Sequence, residues 1–137
     1  MLNFLLAFAT TITMRFTQAE IDLMARVVMS ESSVEPYEVK VGVAQTMINR
    51  LLSDEFPDSI YEVVDGQYST TNNGDPNEDC YDAVYAVINN PYIYPSDMFW
   101  FRSKHYHKFA NPYMHIPGTN TYFSTKTDYN KLLFEDL

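Results

Sequence analysis

Thr17-Gln18-Ala19-Glu20-Ile21-Asp22-Leu23-Met24-Ala25-Arg26-Val27-Val28-Met29-Ser30-Glu31 is the stretch that decides the fold. Its first four residues spell a capping box, with Thr17 at the N-cap and Glu20 three positions on. Phe16 and Ile21 stand at the flanking positions of a hydrophobic staple. The spacing predicts a helix from about Gln18 to about Ser30. Met24, Val27, Val28 and Glu31 recur at i, i+3, i+4 and i+7, so they share one face. A carboxylate therefore falls on an apolar stripe, at or just past the C-terminal end of that helix.

Working outward, Pro36 suits the first turn of a second helix from about Tyr37 to Leu52. Its core stripe is Val43, Ala44, Met47, Ile48 and Leu51. Asp54 to Pro57 breaks the pattern, and Ser59-Ile60-Tyr61-Glu62 is a second capping-box sequence, opening a short helix that ends near Gly66. A polar loop from Gln67 to Gly74 follows, with Tyr68 embedded in it. Asp75-Pro76-Asn77-Glu78 starts a further helix with Pro at its first position, and Asn89-Asn90-Pro91 ends it. Beyond Pro95 the period changes. Met98 to Phe101 reads as a short buried strand, and Tyr113–Ile116 and Thr121–Ser124 flank a Pro117-Gly118 turn, which predicts a hairpin. The tail from Lys126 to Leu137 is amphipathic. Helices first and short strands later give an α+β domain.

The chain has 137 residues, 18 acidic and 9 basic, for a net charge of −9. This length forms one domain that buries roughly two-thirds of its unfolded surface without staples. The acidic balance argues against a duplex nucleic acid partner, which needs a basic stripe, and against docking on anionic lipid. Cys80 is the single cysteine, which excludes an intrachain disulfide and a multi-cysteine zinc cage. No stretch reaches the roughly 18 apolar residues of a membrane span. Leu2 to Ala9 resembles the apolar core of a secretory signal, but no Lys or Arg precedes it and the first basic residue is Arg15. Residues 1–16 are therefore read as an N-terminal extension, a strand or docking segment rather than a leader, and residues 17–137 as the folded domain.

Glu31 is the leading candidate for chemistry. Burial against Met24, Val27 and Val28 favours the neutral carboxyl, the form a general acid needs. The alternative is a Glu that turns outward and is solvated. Eleven Tyr, nine Phe and one Trp exceed what so small a core requires. Tyr37, Tyr68, Trp100, Tyr106, Tyr113 and Tyr122 fall near loops or strands, where their faces could stack on sugar rings. Ordinary packing is the competing role for each. His105 and His107 share a spacing that puts both on one strand face, with His115 beyond, but no Asp or Glu lies close in sequence to complete a metal set, so a surface or core role is expected. Cys80 lies on an apolar helix face as an inert thiol. No phosphate loop, nucleophile elbow or zinc-protease helix is present in the sequence.

The run Ala25-Arg26-Val27-Val28-Met29-Ser30-Glu31-Ser32-Ser33-Val34-Glu35-Pro36-Tyr37-Glu38 resembles the opening motif of the SleB/CwlJ-type cell wall hydrolases, the spore cortex-lytic family. That motif reads approximately ARVVYGEARGEPYEGQVAVA, followed by an LNR triplet. Here Val41-Gly42-Val43-Ala44-Gln45 and Ile48-Asn49-Arg50 continue it. Phe56-Pro57-Asp58-Ser59-Ile60, Val63-Val64 and Gly66-Gln67-Tyr68-Ser69 are similar to the family's FPDTV, VV and QFS segments. Ile116-Pro117-Gly118-Thr119-Asn120-Thr121-Tyr122-Phe123 is similar to its IGGHTFY element. The likeness runs from about Ala19 to Ser124. It implies a small lysozyme/lytic transglycosylase-like domain, peptidoglycan glycan strands as substrate, Glu31 as catalytic acid, and a cleft with Tyr37, Gln67, Tyr68, Ser69, Asn120 and Tyr122 as substrate-binding residues. It implies no metal and no cofactor. The chain departs from the motif at Ser30-Glu31-Ser32-Ser33-Val34, where the family has Gly-Glu-Ala-Arg-Gly, and at Asn120, where it has His.

The implied reaction is cleavage between N-acetylmuramic acid and N-acetylglucosamine by a lytic transglycosylase route, which needs one carboxyl group. A hydrolytic muramidase would instead need a second group, for which Asp65 and Asp75 are the candidates. A wall-binding module without activity is the rival of another class. A short chain with no clear leader or second domain suits a phage or prophage lysis enzyme, or a virion component with lysis-system partners.

Overall fold

The computed structural model describes residues 15–103 and 112–126. Most of the N-terminal extension, the tail beyond Lys126, and His105, Tyr106 and His107 with their expected strand-face spacing lie outside the described residues. The element order is α1 (Gln18–Ser32), α2 (Tyr37–Leu52), α3 (Ile60–Val64), α4 (Glu78–Asn89), β1 (Met98–Ser103) and β2 (Thr121–Thr125). This is the expected α+β order, helices first and strands after.

α1 begins as its capping box dictates. Glu20 N–H donates to Thr17 Oγ1 at 3.2 Å and Thr17 N–H to Glu20 Oε1 at 2.9 Å. The helix runs on to Ser32, so Glu31 lies inside its last turn rather than past it. Two expected starts differ in detail. Ser59 stands at the N-cap of α3 but its side chain makes no capping bond, so the second capping box exists only as letters. α4 begins at Glu78, and its cap is Asn77, whose side chain accepts from Cys80 N–H at 3.1 Å. Pro76 therefore precedes the cap instead of opening the helix.

β1 and β2 pair antiparallel, with Phe101 opposite Phe123 and Ser103 opposite Thr121. The segment before the Pro117-Gly118 turn contributes only an isolated bridge from Met114 to Phe123 on the other edge of β2. Local alternation predicted that hairpin. The longer partner is Met98–Ser103, because its alternate residues reach the same core that Phe123 enters.

α2 lies at the centre and is buried from Val39 to Arg50. Its apolar side packs with Met24, Val27 and Val28 of α1, Ala83, Val84 and Val87 of α4, and Phe123 of β2, all fully buried. Cys80 joins this core as a buried free thiol. Gly42 lets β2 approach α2: a Cβ there would stand 2.6 Å from Phe123 Cζ. Alanine normally favours a helix over glycine by about 1 kcal/mol. Here the sterics reverse the sign, since the ring is fully buried and packed on Phe101 at 5.7 Å. Gly42→Ala should cost about 1–3 kcal/mol as an overpacked core, read as a Tm lower by several degrees in a thermal melt. A Tm equal to or above wild type would contradict this packing.

Candidate active site

Glu31 stands half-buried one residue before the end of α1. A cavity of about 260 Å³ opens beside it, walled by Phe101, Arg102 and Ser103 of β1. Burial pushes the carboxyl above its ordinary range, and a hydrogen bond from Ser69 N–H to Oε1, at 2.7 Å, pulls the other way without cancelling it. The sequence expectation of an acid on the buried face of this helix matches that position. A carboxyl held toward its neutral form beside an open cleft can donate a proton to a bound acceptor and later take one back.

The wall opposite Glu31 is fixed by a polar ridge on α2. Gln45 donates to Pro91 O at 2.8 Å, and Asn49 to Pro95 O and Met98 O at 2.9 Å each. Arg50 donates to Phe99 O at 3.0 Å, and its guanidinium lies 5.0 Å from both the Phe56 and Tyr68 rings. Every bonded carbonyl belongs to the approach to β1 or to its first residues. The Ile48-Asn49-Arg50 triplet therefore acts as scaffold: it sets where Phe101 to Ser103 stand.

The turn from α1 to α2 is held from inside. Lys40, only 3% exposed, donates to Ser32 O, Ser33 O and Glu35 O at 2.5, 3.1 and 2.8 Å. Three carbonyls use all three donors of its ammonium. Glu35 extends the tie to the sheet, accepting from Asn120 N–H at 3.2 Å and Thr121 Oγ1 at 3.5 Å.

The expected substrate residues divide. Ser69 is brought directly to Glu31. Tyr68 is buried: its hydroxyl shares a hydrogen bond with Thr46 at 3.0 Å, and its ring faces Phe101 at 6.0 Å. Burial raises its hydroxyl pKa, an effect to which the Glu31 charge adds. Tyr68 thus backs the cleft from inside the core. Gln67 is exposed in the turn after α3. The Asn120 side chain is exposed, with its backbone on Glu35. Tyr122 is half-buried and stacks flat on His115 at 3.9 Å. Tyr37 is 41% exposed at the start of α2 and faces Asp79 and Asp82 of α4, whose charges add to burial in raising its hydroxyl pKa.

Asp75 pairs with Arg26 at 3.4 Å on the surface. Asp65 lines a separate cavity of about 480 Å³ with Glu62, Tyr61 and Thr70. Neither is among the residues walling the Glu31 cleft. Among the described residues no three His, Cys, Asp or Glu gather as a metal site, and no helix is long and apolar enough to cross a membrane. Sequence reasoning missed Lys40, Glu35, Asn72 and Asn73. Only the polar character of the 67–74 loop pointed toward the last two.

The domain is helical with one two-stranded antiparallel sheet, and it sets a half-buried acid at a helix end, facing a sheet-walled cleft. The chain belongs to the cell wall hydrolase family, whose model matches residues 34–128, a stretch that begins just after Glu31. It is 38% identical over 80 residues to a spore cortex-lytic enzyme of Oceanobacillus iheyensis, covering 54% of this chain and 29% of that protein. A spore cortex-lytic enzyme of Bacillus cereus is 36% identical over 90 residues, covering 58% of this chain and 33% of that one. The matched stretch thus spans a third or less of these relatives' length. The fold is that of the catalytic domain of Bacillus cereus SleB, with a TM-score of 0.67 at 24% identity over 81% of this chain and 93% of that domain. The catalytic domain of the germination-specific lytic transglycosylase SleB from Bacillus anthracis gives 0.64 at 23% identity, over 80% and 97% of the two chains.

Proposed function

We propose that this chain cleaves peptidoglycan glycan strands between N-acetylmuramic acid and N-acetylglucosamine by a lytic transglycosylase reaction, with Glu31 as general acid and then general base. The observation that carries the reading is the Glu31 carboxyl, raised by burial and opening on the cleft walled by β1. Protonated Glu31 gives its proton to the glycosidic oxygen as the bond to the muramic C1 breaks. Positive charge builds on the ring carbon and its oxygen. The muramic 6-hydroxyl oxygen then bonds to C1, and its proton passes to the Glu31 carboxylate, restoring the acid and leaving a 1,6-anhydro end.

The choice of nucleophile rests on the cleft itself. Among the described residues Glu31 is the carboxylate that walls the cleft, and a water-activating base or carboxylate nucleophile would have to stand across the cleft. Asp65 and Asp75 lie elsewhere. Ser69, Gln67, Asn120 and Tyr122 are the proposed substrate contacts. Tyr68 supports the cleft from behind, and Tyr37 would touch only a strand long enough to reach α4. The relatives carry the name spore cortex-lytic enzyme, which favours the wall of a spore-forming bacterium over a phage particle as the setting.

Digestion of purified peptidoglycan followed by mass spectrometry of the released sugars tests the reading. Anhydromuramic ends, 18 mass units below the hydrolytic product through loss of one water, are expected. Free reducing ends would replace it with the hydrolytic muramidase. Intact strands across a broad range of pH and salt would leave a wall-binding module.

A further inference from the structure

Ser30 stands beside the acid, at a position where this chain departs from the family motif. Its side chain is buried, 6% exposed, and it points into the loop that follows Tyr68. Ser30 Oγ lies 2.6 Å from Ser69 Oγ and accepts from Asn72 N–H at 3.0 Å. Asn72 Nδ2 donates to Ser69 Oγ at 2.9 Å, closing a ring of bonds. Next in the chain, Asn73 holds φ at +69°, a left-handed conformation that only a few residue types adopt at small cost. Its Nδ2 donates to Ser30 O at 3.1 Å and Met29 O at 3.3 Å. All of these bonds except the Asn72–Ser69 one, which lies within the loop, tie the loop to the last turns of α1. The same loop also meets the acid itself, Ser69 N–H donating to Glu31 Oε1 at 2.7 Å.

We propose that Ser30 is a positioning residue for the acid: its hydroxyl clamps the 69–73 loop onto α1, so that Ser69 N–H stays aimed at Glu31 Oε1 and the other carboxyl oxygen is left for the cleft. Ser30 never meets the substrate. A loop segment of exposed polar residues, Thr71 to Gly74, has little apolar area to hold it in place, so side-chain bonds to a rigid helix determine where its N–H groups point. Without the clamp the carboxyl can swing. A catalytic group displaced by about 1 Å can lose up to roughly 100-fold in rate. Loss of the Ser69 N–H also removes an interaction that favours the ionised form, so the proton is held more tightly.

The rate arm of the test rests on the proposed glycan cleavage, whereas titration of the Glu31 carboxyl does not. Carbon-detected NMR of the whole chain would follow that carboxyl in wild type, Ser30→Ala and Ser30→Thr. The midpoint should move to higher pH in Ser30→Ala and return toward wild type in Ser30→Thr, which keeps an Oγ. With peptidoglycan, Ser30→Ala should lower the plateau kcat about tenfold, while the high-pH limb of the rate profile moves up. A general structural defect would lower the plateau without moving the limb. Should Ser30→Ala fail to fold, Ser69→Ala breaks the Ser30–Ser69 bond without altering the helix. It should shift the titration in the same direction, by less, because Asn72 N–H still holds Ser30. An unmoved Glu31 midpoint in a folded Ser30→Ala, or in Ser69→Ala where that variant must stand in, overturns the proposal. If wild type cleaves no glycan, the proposed function fails, while the titration still decides the role of Ser30.

Discussion

Glu31→Gln should reduce glycan cleavage by roughly 10²- to 10⁴-fold, the usual contribution of a positioned proton donor, and leave the fold intact. The amide keeps the shape of the carboxyl and an oxygen to accept from Ser69 N–H, but it has no proton to give the leaving oxygen. The stability of the same variant separates a buried acid from a surface one. Burial raises the Glu31 pKa in the folded chain, so between its unfolded and folded values the native state binds more protons than the unfolded state. Stability therefore falls as pH rises through that window, and the loss is complete above the folded value. Glutamine carries no such charge. The variant should melt above wild type at neutral pH, and the gap should close below the ordinary glutamate range, about pH 4. Turbidity clearing of wall suspensions and thermal melts at two pH values read both effects. A Glu31→Gln enzyme that clears walls at the wild-type rate would remove Glu31 from the chemistry.

The reach of the sequence follows the range of the interactions. α1 was legible because its start is local: Thr17 and Glu20 bond within three residues. The letters at Ser59 are as good, yet no capping bond forms there, so a capping sequence predicts where a helix starts better than how it is held. Glu31 was legible as an acid on a buried face because helical period alone puts it with Met24 and Val28. The β pairing was legible in part: the neighbour across the Pro-Gly turn does meet β2, at Met114 and Phe123, but the longer partner, Met98–Ser103, is chosen by core contacts far apart in sequence. The bond from Ser69 to Glu31 spans 38 residues; the polar character of the 67–74 stretch marked a loop there, and only the family likeness made Ser69 a site residue. Tyr68 shows the opposite failure. An aromatic residue in a polar stretch read as a sugar platform, whereas the structure turns it inward onto Thr46 and Arg50.

Lys40→Met should be the most damaging single change to stability, at about 3–5 kcal/mol, which is roughly 10–20 °C in Tm for a chain of this size. A helix leaves its last carbonyls without partners, and a cation near its C-terminus also meets the negative end of the dipole. The last turn of α1 holds no basic residue of its own. Lys40, from the second turn of α2, supplies the charge and three donors, to carbonyls of Ser32, Ser33 and Glu35. Methionine fills similar volume and leaves Ser33 O and Glu35 O without that donor, each at a cost of about 1–3 kcal/mol when buried, while Ser32 O loses a charged donor but keeps the Glu35 N–H at 3.1 Å. Those carbonyls belong to the turn that begins directly after Glu31, and Glu35 carries the tie to Asn120 and Thr121 on the far side of the cleft. Activity should therefore fall at temperatures well below the melt, as the acid and β2 lose their common anchor. Lys40→Arg should recover only part of the loss, because a planar guanidinium does not reproduce three donors converging from one nitrogen. Paired melts and wall-clearing rates across temperature measure both effects. A Tm within about 2 °C of wild type in Lys40→Met would mean that water satisfies those carbonyls equally well, and that the turn is not held from inside.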